Sequence, residues 1–145
     1  MAEGTFQTLE IDASPEVLYD AAADIASYPE WATGVKEVEV LESGPDGRVD
    51  RARFVIEVFV KEIEYVLRYE HDRPNRLSWV AEESDDLEML EGSYTFTPNN
   101  GATEVLYGLK VGLKFTMPGF LMRQAEKQIV TTALRGLRKR VTGSG

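Results

Sequence analysis

Between Val35 and Phe115 apolar side chains recur at every second position, and beyond Pro118 they recur every three to four. The first period is that of a strand with one buried face, and the second is that of an amphipathic helix. A chain with this layout builds an antiparallel meander and then covers it with a single long helix. Around residues 52–59 the even positions Ala52, Phe54, Ile56 and Val58 share an uncharged face, with Arg53 and Glu57 opposite beside Val55 and Phe59. On the following strand the odd positions Ile63, Tyr65, Leu67 and Tyr69 are apolar, and Glu62, Glu64, Arg68 and Glu70 point away. Opposed parity lets the two faces meet, and a turn near Val60-Lys61 would set Ile56 opposite Tyr65 and Phe54 opposite Leu67. Leu77-Ser78-Trp79 forms another short strand after the turn residues Asp72-Arg73-Pro74-Asn75. The last hairpin is specified most sharply. Asn100-Gly101 is the dipeptide a type I′ turn favours, and centring there pairs Phe96 with Val105, Tyr94 with Tyr107 and Gly92 with Leu109, apolar against apolar.

The helical signals lie at the two ends. Ser14-Pro15-Glu16 supplies a capping hydroxyl, a proline for the first helical position and an acid at the positive end. Val17, Leu18, Ala21, Ala22 and Ile25 follow as one stripe. Tyr28-Pro29-Glu30-Trp31 suits a single helical turn against the next strand. After Pro118, the residues Leu121, Met122, Ala125, Ile129, Thr132, Ala133, Gly136 and Leu137 repeat at helical spacing over roughly six turns. Arg135, Arg138, Lys139 and Arg140 fall where cations complement the carbonyl end. Residues 142–145 are expected to be a flexible tail.

Composition narrows the functional classes. A chain of 145 residues predicts one domain, 1–145, able to bury a core without staples. It has no cysteine and one histidine, His71, so thiol catalysis, cysteinyl zinc and a histidine cluster are excluded, and neither metal nor cofactor is expected. A net charge of −9 disfavours nucleic acid as a partner. With no apolar run of membrane-spanning length and no leader pattern at Met1–Phe6, the expectation is a soluble, cytoplasmic protein without a transmembrane segment.

Ile11-Asp12-Ala13-Ser14-Pro15-Glu16-Val17-Leu18, then Tyr28-Pro29-Glu30-Trp31, then Val35-Lys36-Glu37-Val38-Glu39-Val40-Leu41, resemble the start of a START-like (SRPBCC) helix-grip domain. More narrowly they resemble the polyketide cyclase/dehydrase and lipid-transport family, including its coenzyme Q-binding branch. Leu90-Glu91-Gly92-Ser93-Tyr94-Thr95-Phe96-Thr97-Pro98 is similar to that family's penultimate strand. The resemblance implies an α+β helix-grip fold. In it a curved antiparallel sheet of about seven strands wraps a long C-terminal helix, with two short helices after the first strand. It also implies an apolar pocket between sheet and helix, whose walls the alternation assigns to Phe54, Ile56, Tyr65, Leu67, Trp79, Tyr94, Tyr107, Leu109, Met122, Ala125 and Ile129. Any one of these could equally fill a core. Together, however, Tyr65, Tyr69, Tyr94 and Tyr107 bring more hydroxyl inward than a sealed core holds without partners. Ala125, Ala133 and Gly136 serve either close helix approach or free volume.

Catalysis on a polyketide needs an inward acid, base or oxyanion donor, and the inner alternation offers almost none. Glu57, Glu64, Arg53 and Arg68 fall on the outer face, with Glu57 and Glu64 expected near each other across strands. His71 sits at a strand end beside Asp72 and Arg73, as a rim or turn residue. The run Glu82-Glu83-Ser84-Asp85-Asp86 with Glu88 lacks the spacing of a calcium loop and reads as a solvated loop. No phosphate loop, serine elbow or paired-histidine motif is present. The expectation is a non-catalytic protein that binds or transports a hydrophobic small molecule such as a lipid, isoprenoid quinone or polyketide. The alternatives are a polyketide aromatase/cyclase, implied by the resemblance, and an interaction module docking through the outer sheet face or the basic helix end. A homodimer is left open.

Overall fold

The computed structural model describes residues 4–32, 34–58, 61–82 and 84–143. Its strands are β1 (Thr5–Ile11), β2 (Val35–Ser43), β3 (Val49–Val58), β4 (Lys61–Asp72), β5 (Arg76–Ala81), β6 (Leu87–Asn99) and β7 (Ala102–Leu113). Its helices are α1 (Pro15–Ala23), α2 (Tyr28–Trp31) and α3 (Gly119–Thr142), with a 3-10 turn at Ile25–Ser27 between the first two. One antiparallel sheet runs in the order β1-β7-β6-β5-β4-β3-β2. Because β1 and β2 lie at opposite edges, the α1–α2 segment crosses the sheet between them. Helix α3 packs on the same face and contacts β1, β7, α1 and α2. This is the covered meander expected from the two hydrophobic periods, and the helix-grip α+β architecture that the resemblance implied.

The β6–β7 hairpin adopts the register that Asn-Gly dictates. Tyr94 pairs with Tyr107 and Phe96 with Val105, and Asn100 and Gly101 take φ of 52° and 88° as a type I′ turn requires. In the β3–β4 hairpin the faces are as expected but the register is two residues away. Phe54 lies opposite Tyr65, Ile56 opposite Ile63 and Glu57 opposite Glu62. A slip of two keeps every side chain on its own face, so alternation alone cannot choose between the registers. In the adopted one, Lys36 Nζ bridges the facing carboxylates at 3.7 Å from Glu57 and 2.9 Å from Glu62. Glu64 is therefore not the neighbour of Glu57; it is held by Arg53 at 2.8 Å, and Arg53 also bonds Glu37 and Glu39. The Val58 side chain, Phe59, Val60 and Glu83, on which parts of the sequence reading fell, lie outside the described residues.

Helix α1 begins as its cap predicts, with Ser14 Oγ accepting the Val17 N–H at 3.3 Å. Its buried face differs by one residue from the stripe read in sequence: Leu18, Tyr19 and Ala22 are buried and Val17 is exposed. Tyr19 turns inward because its ring meets Phe96 edge-on at 5.9 Å and its hydroxyl finds a partner on β4. Helix α3 shows a similar rotation. Its buried residues are Ala125, Glu126, Val130, Leu134 and Leu137, whereas Met122, Ile129, Thr132 and Ala133 are half-buried. The helix is laid along β1, with Thr5 Oγ1 donating to Glu126 at 2.9 Å and Thr131 Oγ1 donating to Gln7 at 3.0 Å. Thr142, expected in a loose tail, is still helical, and Gly143 ends α3 with φ of 75° and an N–H to the Lys139 carbonyl at 2.8 Å. Ser144 and Gly145 lie outside the described residues.

Candidate ligand cavity

Between the concave sheet and α3 the structure leaves a cavity of about 140 Å³. Every residue assigned to the pocket walls from sequence lines it. Phe54 and Ile56 come from β3, Tyr65 and Leu67 from β4, Trp79 from β5, Tyr94 from β6, Tyr107 and Leu109 from β7, and Met122, Ala125 and Ile129 from α3. The alternation of period two puts the strand residues on one face, and the helical period brings the α3 residues over it.

Aromatic rings build the sheet side. Phe54 stacks on Tyr65 with centroids 5.6 Å apart and planes 12° from parallel, while Tyr94 meets Tyr107 edge-on at 4.7 Å. Trp79 reaches both of the latter rings at 5.6 Å. It lies flat over Gly92, where a β-carbon would stand 2.5 Å from the indole. Tyr65, Tyr69, Trp79, Tyr94 and Tyr107 are buried, and Gly34 and Glu57 on the opposite margin are exposed. The cavity is thus closed at the aromatic wall and open toward Gly34, Glu57 and the half-buried Met117.

Tyr28 donates its hydroxyl to the Ala22 carbonyl. The hydroxyls of Tyr65, Tyr69, Tyr94 and Tyr107 have no protein partner among the described residues, yet none is sealed from space. Burial pushes all four phenols above their ordinary range, and the nearby phenol of Tyr107 adds to the effect at Tyr65, Tyr69 and Tyr94. They are neutral hydroxyl groups throughout the physiological range, able to donate a hydrogen bond and unsuited to act as bases.

Several lining residues escaped the sequence reading. Tyr28 and Trp31 of α2 belong to the wall, with Trp31 resting on Gly136 of α3, where a β-carbon would lie 3.1 Å from Trp31 Cε3. Tyr69, read as inward-facing, also lines the cavity. Glu126 is the main addition to the inward polar groups, of which the strand alternation offers almost none. It is 4 % exposed, lines the cavity, and accepts from the Val111 N–H at 3.0 Å as well as from Thr5. Its place one turn from Met122 and Val130 was the available signal, masked by its charge. The carboxylate anchors the helix to β1 and β7 at once.

His71 lies outside the cavity wall. Its Nε2–H donates to the Val49 carbonyl at 2.6 Å, which leaves Nδ1 to accept the Tyr19 hydroxyl at 2.7 Å, so the ring ties α1 to β3 and β4. In the acidic run, Glu82 is taken by Arg51 at 2.7 Å and Arg68 at 2.8 Å, and Asp86 stands 3.9 Å from Lys61. Among the described residues no group of His, Cys, Asp and Glu is arranged to hold a metal, and no helix is long and apolar enough to cross a membrane. At the basic end of α3, Arg140 bonds Glu30 at 3.3 Å, which ties that end to α2, and the Arg138 Nε is buried without a hydrogen-bond partner among the described residues.

Comparison with known proteins agrees with this geometry. A START superfamily protein from Mycobacterium smegmatis superposes with a TM-score of 0.87 at 20% identity, over 97% of each chain. A Thermus thermophilus protein superposes with a TM-score of 0.83 at 26% identity, over 97% of this chain and 98% of that one. A Streptomyces aromatase/cyclase gives a TM-score of 0.82 at 12% identity, over 100% of this chain and 99% of its own. Compared by sequence with curated proteins, the chain finds no significant match. The family model described as polyketide cyclase/dehydrase and lipid transport matches residues 11–138, and the chain belongs to that START-like family.

Proposed function

We propose that this protein binds and carries a hydrophobic small molecule, a lipid, isoprenoid quinone or polyketide-like compound, between the sheet and α3. The residues in contact would be Phe54, Ile56, Tyr65, Leu67, Trp79, Tyr94, Tyr107, Leu109, Met122, Ala125 and Ile129. The observation that carries this reading is the cavity itself. Protein interiors are packed to crystal density, and a space of about 140 Å³ between sheet and helix stands out against that packing. A site that keeps this space, lines it with aromatic and aliphatic groups and opens it on one side supports storage of an apolar guest. The volume matches a one- or two-ring compound, and a longer ligand would extend past Met117 and Gly34 toward solvent. Native mass spectrometry of gently purified protein, followed by organic extraction, tests the proposal. A bound apolar compound at fixed stoichiometry is expected. A protein that arrives empty and takes up no member of a panel of lipids, quinones and aromatic polyketides would overturn it.

A second reading, a polyketide aromatase/cyclase, draws on Glu126, the one carboxyl in the buried wall among the described residues. Both its oxygens already hold Thr5 and Val111, which favours the binding role. Turnover of a poly-β-ketone that vanishes in Glu126→Gln while binding persists would establish the enzyme instead.

A further inference from the structure

We infer that the ligand carries hydrogen-bond acceptor oxygens at its leading end, as a quinone or polyketone does, and enters with that end against the aromatic wall. This rests on the binding function proposed above and adds the chemistry and orientation of the guest.

The wall holds five polar groups that the protein leaves unserved. The hydroxyls of Tyr65, Tyr69, Tyr94 and Tyr107 and the indole N–H of Trp79 make no hydrogen bond among the described residues. Each belongs to a residue no more than 8% exposed, and all five residues line the cavity. Trp31, by contrast, satisfies its indole on Ser27 at 3.2 Å, and Tyr28 uses the Ala22 carbonyl. Among the tyrosines and tryptophans, all of them described, the absence of partners is thus confined to one wall. An indole N–H can only donate, whereas each phenol donates one O–H and also accepts through its lone pairs, so an acceptor oxygen is the one kind of group that all five can bond. Water can serve them in the empty cavity. A guest that displaces it must replace those bonds, which a hydrocarbon cannot do and a carbonyl oxygen can. Toward the open margin Met117 and Met122 offer apolar contact, suited to the remainder of the molecule, with Glu57 at the exposed edge.

The test uses 1,4-naphthoquinone and naphthalene, which share a fused carbon skeleton and differ by two carbonyl oxygens. The chain has no cysteine to be arylated by the quinone. Affinities are measured by calorimetry for the wild-type protein, the double variant Tyr94→Phe/Tyr107→Phe, and the single variants Tyr65→Phe and Tyr69→Phe. Each substitution removes an unpaired hydroxyl and keeps the ring, and melting temperature serves as the folding control. The double variant is expected to weaken the quinone about tenfold or more and to leave naphthalene unchanged, the loss appropriate to one or two neutral hydrogen bonds. Quinone affinity that is unmoved in every variant, or that falls in parallel with naphthalene, overturns the acceptor proposal while the cavity reading stands. Binding of neither compound removes the cavity reading and the acceptor proposal together.

Discussion

Replacing Gly92 with alanine tests whether the indole of Trp79 forms the floor of the cavity. A β-carbon on residue 92 would stand 2.5 Å from Trp79 Cε2, Cζ2 and Nε1, whereas ordinary contact begins near 3.4 Å, so the indole must retreat by about 0.9 Å. Tyr94 and Tyr107 back the ring at 5.6 Å and Tyr69 at 6.0 Å, which leaves the cavity as the direction of escape. Overpacking of a closed core costs ~1–3 kcal/mol, and the free space on the far side places this substitution in the lower part of that range, ~1–2 kcal/mol. With an unfolding entropy of ~2.1 cal/mol/K per residue, that loss lowers the melting temperature by ~3–7 °C. Differential scanning calorimetry reads the shift, and a naphthalene titration reads the lost volume as weaker binding. Gly101→Ala is the control, because φ of 88° makes it unfavourable at the β6–β7 turn without touching the cavity, so it should lower stability and leave binding intact. Glycine within a strand is ordinarily the destabilising residue, so the sign alone is informative. A Gly92→Ala protein with unchanged or raised melting temperature and undiminished naphthalene affinity would refute the close seating of Trp79 on this backbone.

Three further outcomes follow from the same geometry. Ala125→Leu should fill part of the cavity, raise stability by ~0.5–2 kcal/mol and abolish uptake of a two-ring ligand, as calorimetry and titration would show. Glu126→Leu strands the half-buried Val111 N–H and Thr5 hydroxyl and should cost ~1–3 kcal/mol in chemical denaturation, whereas Glu126→Gln keeps an acceptor and should cost clearly less. Arg51, and after it Arg68, holds the Glu82 carboxyl below its ordinary value near 4.5. The stabilisation from Glu82 is therefore present above that value and is lost as pH falls through the lowered one; Glu82→Gln should flatten the acid limb of melting temperature against pH.

Legibility from sequence tracked how many independent constraints met at each element. At Asn100-Gly101 the turn chemistry and the alternation both specify one register, and the hairpin follows it from Asn99 back to Met89. Between β3 and β4 there was alternation but no diagnostic turn dipeptide, so the faces were readable and the register was not. The added information is electrostatic and non-local: Lys36, on the neighbouring strand, bridges Glu57 and Glu62. The cavity walls were readable because strand period and helix period each select a face. Glu126 was not, because a carboxylate on a helix is ordinarily solvated, and its burial depends on a strand hydroxyl 121 residues away in sequence. The helical stripe was displaced for the same reason: α3 is oriented by its bonds to β1 rather than by hydrophobicity alone.

Those bonds also account for why the cavity persists instead of collapsing onto α3. Sequence left two uses open for the small residues of this helix, close approach or free volume, and the structure assigns one to each. Gly136 is a point of approach, because Trp31 rests against it, and Arg140 on the next turn is tied to Glu30 of the same short helix. Near the other end, Glu126 and Thr131 are fastened to β1 and β7 at the far edge of the sheet. A rigid helix of 24 residues, fixed along one edge and at one end, cannot also settle onto the sheet centre, where Ala125, Tyr94 and Tyr107 all line the space. The groups that hold this space open are thus mainly polar and peripheral, whereas those that line it are aromatic and central. Substitutions in the two sets should separate accordingly, the first changing cavity volume through helix position and the second changing what the cavity can recognise.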